Sequence, residues 1–417
     1  MNSFLSKWLS ISILNLSFVA ALGLILRYKI AYSLPFLDQK YILHSHSHFA
    51  FSGWITQTLM ILMIIYLSKA LGKEINSRYR WLLYTNLISS YGMMISFIIQ
   101  GYGLYSISFS TLNIFVFYAF AFYFWLDLNR IKDKSTSILW FKAALLFGVI
   151  SSLGAFNLAY MMANKMSNQN VYLTSIYFFL HFQYNGWFLF AGLGLLNDKL
   201  EFITGERKKL YRAFQLFCFA CIPAYFLSIL WMEFISTIYI LLIAAVIAQL
   251  AAWIIVLKVY YKNRSLIRQK ITYYGKILLI LSALAFSIKL ILQSGSIHTE
   301  LSHLSYGFRP IIIGYLHLVL LGVTSIFLLG YIVSFELIRI NKSLIRGIFI
   351  FVAGVIINEL LLMIQGVSAL SYTAIPYINE MLLAAAVILF SGILIMLISR
   401  FAYMKNNIPE RLPTRPD

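Results

Sequence analysis

Long apolar runs, each closed by a short cluster of polar and basic residues, follow one another from end to end of this sequence. They fall near 8–28, 42–68, 81–104, 106–128, 138–163, 171–196, 210–231, 235–257, 274–295, 310–334, 347–366 and 378–401. Crossing about 30 Å of hydrocarbon takes roughly 20 helical residues at 1.5 Å each. Each run therefore predicts a membrane-spanning helix, and the set predicts an all-α membrane protein of about twelve spans. No run carries the charged face of a helix lying on a membrane surface, and none shows the ten-residue alternation of a barrel strand. The connections are too short for a soluble domain. We read 1–403 as one polytopic transmembrane domain and 404–417, with Pro409, Pro413 and Pro416, as a disordered cytoplasmic tail. Lys7 followed by an apolar run resembles a signal peptide, but the run ends at Arg27 and Lys29 with no small-x-small cleavage site, so it reads as a retained first span.

Composition agrees. Hydrophobic residues make up 61% and charged residues 11% of the chain, against about 25% charged in soluble domains. The net charge of +19 does not point to nucleic acid, because the cations sit in bursts between spans and form no basic face. Their placement instead orients the chain. Basic clusters follow spans two (Lys69, Lys73, Arg78, Arg80), four (Arg130, Lys132, Lys134), six (Lys199, Arg207, Lys208, Lys209, Arg212), eight (Lys258, Lys262, Arg264, Arg268, Lys270) and ten (Arg339, Lys342, Arg346). The opposite loops hold only Arg27, Lys29, Lys40, Lys165 and Arg309. We expect a multi-pass protein of a bacterial inner membrane with both termini in the cytoplasm. The two cysteines, Cys218 and Cys221, share one apolar run and give no disulfide framework.

Candidate chemistry lies in histidines. His44, His46, His48, His181 and His317 fall on spans two, six and ten alone. An imidazole is costly in lipid and usually has a partner or ligand. The flanking residues repeat: His48-Phe-Ala-Phe-Ser-Gly53, His181-Phe-Gln-Tyr-Asn-Gly186 and His317-Leu-Val-Leu-Leu-Gly322. A repeat every four spans predicts three similar four-helix units, and the glycine leaves room for a close helix or a flat cofactor. Two buried imidazoles on neighbouring helices, walled by apolar and aromatic side chains, suit a low-spin haem. The competing reading is that the histidines bond to one another or to carbonyls.

With these features the chain resembles subunit I of the haem–copper oxidase superfamily, which includes cytochrome oxidases and nitric oxide reductases. The resemblance implies a haem b whose axial ligands are His317 and one of His44, His46 and His48. His48 is preferred because it aligns with the repeat, and His44, one turn earlier, is the reserve. It also implies that His181 matches a copper ligand and that arginine pairs with the haem propionates, for which Arg309 is the nearby residue. The sequence departs from the family at other positions. Tyr315 stands where the family has the high-spin haem ligand, facing away from His317. Span seven has no histidine, and copper on His181 alone is not a credible centre, so copper is not expected. Cys218 and Cys221 are read as packing residues.

Two intramembrane charges are singled out. Glu359, mid-span beside Asn358, and Lys289 in span nine are candidates for a proton or ion path, although Lys289 is expected to snorkel to the interface. Asn157, Gln183 and Asn185 are expected to bond helix to helix. His298, Glu300 and His303 read as a solvated loop. The function expected is electron transfer or gas sensing through a low-spin bis-histidine haem, with lipid around the protein and a redox partner subunit or cytochrome beside it, and no role for nucleic acid. A divergent terminal oxidase or nitric oxide reductase subunit is the alternative. A cofactor-free proton-coupled transporter is a third, thinly supported because Pro223 and Pro310 are the only prolines in the spans.

Overall fold

The structure is a computed structural model that describes residues 3–74, 76–232, 234–297 and 308–406. The loop bearing His298, Glu300 and His303 lies outside them, as does 407–417, so the reading of that loop and most of the tail have no structural counterpart. Among the described residues there is no strand. The chain makes twelve helical passages: α1 Ser3–Ala31, α2 Gln39–Leu71, α3 Ser77–Gln100, α4 Leu104–Leu128, α5 Ser137–Ala163, α6 (Gln169–His181, Phe182–Phe188 and Leu189–Thr204), α7 (Arg207–Cys221 then Pro223–Ile229), α8 Ser236–Lys262, α9 Tyr273–Gly295, α10 Arg309–Ser334, α11 Lys342–Leu370 and α12 Ile378–Asn406. Ten of these are single helices long and apolar enough to cross a membrane. The other two depart for local reasons. α6 carries His181, Gln183 and Asn185 at its centre. α7 bends by 45° at Pro223, which has no N–H to continue the helix.

Polar side chains close the helix ends where the backbone donors run out. Asp38 accepts from the Lys40 and Tyr41 amides at the head of α2 (2.8 and 3.0 Å). Asn341 accepts from Leu344 at the head of α11 (2.7 Å). Consecutive helices pack on one another, and α12 returns against α1. There the buried Arg400 donates to Ser10 (2.9 Å) and Ser6 (3.2 Å). Glycine permits the tightest crossing, since a Cβ on Gly392 of α12 would lie 2.4 Å from the Phe351 nitrogen of α11.

The three histidine repeats fall on matching structure. Each runs into a π-helical stretch: Ala50–Thr56, Phe182–Phe188 and Leu318–Ser325. Such wide turns are rare in α-helices and frequent at functional sites. α2, α6 and α10 converge at these turns. The tryptophan six residues after His181, Trp187, donates to the hydroxyl eight residues after His48, Thr56 (3.2 Å). Trp54, six after His48, donates to Ser325, eight after His317 (2.9 Å). The same pair of positions thus links α6 to α2 and α2 to α10. The repeat glycines admit protein, not a flat cofactor: a Cβ on Gly53, Gly186 or Gly322 would meet Phe49, Phe147 or Ala285.

At the loop end of α4, Asp127 is buried and accepts from Arg78 (2.5 Å), Tyr79 (2.7 Å) and Arg130 (3.0 Å). In an Asp127→Ala protein the two arginines, 30% and 67% exposed, recover water, but the buried Tyr79 hydroxyl loses its acceptor. We expect a loss of about 2 kcal/mol, read as a lower unfolding midpoint in detergent. An unchanged midpoint would show that the cluster is not structural.

Candidate functional site

Positions two apart on a helix point to nearly opposite sides, and the first half of α2 uses this to divide its three histidines. His44 and His48 face α3. The His48 ring stacks on Phe97 (centroids 4.5 Å apart), its Nε2 lies 3.2 Å from the Tyr102 hydroxyl, and His44 packs edge-on to Tyr102 at 4.6 Å. In the α3–α4 loop, burial pushes the Tyr102 phenol up to about 12. His46 faces α1, where its Nδ1 lies 3.0 Å from the Val19 carbonyl oxygen. The ring fits there because residue 23 is glycine, whose Cβ, if present, would come within 3.1 Å of His46 Cε1.

His317, on α10, directs Nδ1 to the carbonyl oxygen of Ile313, 2.8 Å away. A carbonyl only accepts, so Nδ1 carries the proton in both rings and Nε2 keeps its lone pair. Both rings are only half-buried, and no residue of Arg309–His317 is fully buried. His317 has Arg27 and His46 as electrostatic neighbours, and Arg27 in turn neighbours Glu359, which accepts from Asn358 at 3.1 Å. One region thus draws Arg27, His46, His317 and Glu359 from α1, α2, α10 and α11.

The sequence favours His48, with His44 in reserve, and the geometry turns both toward α3 and Tyr102. His46, not His48 or its reserve His44, is grouped with His317. It also accounts for His181. Its Nε2 donates to the Cys221 carbonyl (2.8 Å), and its Nδ1 accepts from Asn185 (3.1 Å). The Cys221 carbonyl lies at the α7 break, where the Tyr225 amide turns to Ile222 instead (3.2 Å). His181 satisfies that carbonyl, and both of its ring nitrogens are hydrogen-bonded. Cys221 is buried with Sγ 3.8 Å from the Asn185 oxygen, and both cysteines are free.

Tyr315 points toward α6, its ring 6.3 Å from that of Tyr184. Arg309 is the exposed first residue of α10, roughly 12 Å before His317 at helical rise. Lys289 does not snorkel: it is 2% exposed and donates to Gln293, which donates to Gln249 at 3.0 Å. Asn157 and Gln183 bond between helices, to Ser175 (2.7 Å) and Ser151 (2.8 Å), whereas Asn185 turns to His181 within its own helix. Sequence reasoning passed over Gly23 and treated Arg27 only as a loop cation. Their signal was present, because residues four apart share a helical face. Among the described residues, no three His, Cys, Asp or Glu side chains gather into a metal-ligating group.

The fold is that of a multi-pass helical membrane protein built like subunit I of a haem–copper oxidase. The particular likeness is to the chain of a heme-copper terminal oxidase dimer solved by cryo-electron microscopy, with a TM-score of 0.73 and 12% sequence identity over 96% of this chain and 84% of that one. No protein-family model matches the sequence, and no curated protein matches it.

Proposed function

We propose that this chain is an electron-transferring membrane haem protein, holding one low-spin haem b between α2 and α10 on His46 and His317. The observation that carries the reading is the matched pair of imidazoles, each with Nδ1–H tied to a backbone carbonyl and Nε2 left to bind. Fixing the second nitrogen is how proteins orient imidazole ligands. Two donors are few for a bare metal ion but suffice for iron that brings its own four equatorial nitrogens. When bound, the group supplies one-electron transfer. The protein's part is to anchor both rings, clear space for His46 at Gly23, and set Arg27 and Glu359 beside the site. Arg309 stands at the head of α10 for a propionate. His181, occupied on both nitrogens, favours this reading over gas reduction. The loop cations support a bacterial inner-membrane protein with cytoplasmic termini, served by a redox partner subunit or cytochrome.

The test is a reduced-minus-oxidised spectrum with haem quantification on the purified protein. One haem per chain with a sharp low-spin b-type band is expected. No haem after expression with adequate haem supply would sink the proposal, and a second, carbon-monoxide-reactive haem would transfer it to a terminal reductase.

Arg27 provides a further expectation. A unit positive charge beside a redox centre, at an effective dielectric of about 20, contributes on the order of 1–2 kcal/mol, or tens of millivolts for one electron. It favours the reduced state, so Arg27→Gln should lower the midpoint potential by that order in a redox titration. An unmoved potential would place Arg27 outside the site's field.

A further inference from the structure

The pairing that links α6 to α2 and α2 to α10 fails at the third seam. Six residues after His317 stands Val323 instead of tryptophan, and eight after His181 stands Leu189 instead of a hydroxyl. There the bundle opens into a cavity of about 340 Å³ between α6, α8, α9 and α10, lined by both of these residues. Its walls are almost wholly apolar. At one level Lys289 projects into it, and at another lie Lys199 and Lys276. Lys276 and Lys289 are thirteen residues apart on α9, roughly 20 Å at helical rise.

Two observations define what fits. The first is charge. No Asp or Glu lines the cavity, and among the described residues no carboxylate pairs with Lys289, whose partner is the neutral Gln293. A buried ammonium without a counter-charge is costly. A neutral ring compound would leave it so, whereas one carboxylate would balance it. The second is access. Leu257 of α8 and Ile280 and Leu284 of α9 line the cavity and are also exposed on the lipid-facing surface, so the opening faces the bilayer.

We propose that this cavity takes a long-chain carboxylic acid from the membrane, its carboxylate on Lys289 and its hydrocarbon directed toward the Lys199–Lys276 end. The site is separate from the His46–His317 region and stands whether or not haem binds there.

Trp253 lines the cavity and reports on it. With the full protein in detergent, 9,10-dibromostearate should quench its fluorescence saturably, and stearate should reverse the quenching. The Trp253→Phe protein should lose the saturable part. The methyl ester of the same acid should bind at least ten-fold more weakly to the unaltered protein, and Lys289→Met should weaken the acid by a similar factor. The ester comparison needs no variant, so a misfolded Lys289→Met protein leaves the proposal testable. Equal binding of acid and ester, quenching that only follows bulk partitioning, or a second haem bound in the purified chain would each overturn it.

Discussion

His46→Ala and His317→Ala proteins should purify without the low-spin b-type band, while His48→Ala should keep it. The loss in each variant should be essentially complete, because each removes one of the two imidazoles that the proposed site supplies. The retention in His48→Ala follows from its place in the α2–α3 seam, stacked on Phe97 and bonded to Tyr102. Neither ligand ring carries the fold, since each is half-buried and makes one hydrogen bond to a carbonyl. Size-exclusion profiles of all three variants should therefore match the parent. The decisive contrast lies between His46 and His48. A band lost with His48 and kept with His46 would reverse the assignment and show that α2 is rotated by half a turn.

Much of the fold was legible because lipid imposes one simple rule: backbone groups must be satisfied within each span, so apolar length alone marks the helices. The runs at 42–68 and 310–334 correspond to α2 and α10. The rule says less where a span carries functional polarity. α6 was legible as the run 171–196, but His181, Gln183 and Asn185 interrupt its apolar core. The α7 break at Pro223 was visible as a residue but not as a device, because nothing in the sequence tells which side chain will take up the freed Cys221 carbonyl.

Which histidine of α2 lies with His317 was not legible in the sequence, for a geometric reason. A repeat aligns equivalent positions, and equivalent positions face equivalent directions around a pseudo-three-fold centre. His48, His181 and His317 are equivalents. His48 accordingly turns to α3 and His181 to α7, each toward the helix that follows it. A ligand held between two units needs a different pair, the repeat histidine of one and the residue two positions earlier in the next. In the proposed site that pair is His317 and His46. The same rule sends Tyr315, two before His317, toward Tyr184 of α6. The glycine that matters for the ligand is likewise not the repeat glycine, which protein fills, but Gly23 on α1, outside the repeat altogether.

A graded series at Gly23 should separate ring placement from folding. Alanine adds a Cβ about 3.1 Å from His46 Cε1, so the ring need move only a few tenths of an ångström. Gly23→Ala is expected to keep its haem with a shifted midpoint potential. Leucine sets its branch where the imidazole stands, and haem loading should fall to the level of His46→Ala. Both substitutions replace glycine within a helix, which removes a cost of about 1 kcal/mol from α1 for alanine and slightly less for leucine. Thermal stability without haem should therefore hold or rise as loading falls. A fully loaded Gly23→Leu protein would show that His46 does not need the α1 surface, and with it the assignment of His46 as ligand would fail. A leucine variant that loses both haem and stability would place Gly23 in helix packing instead.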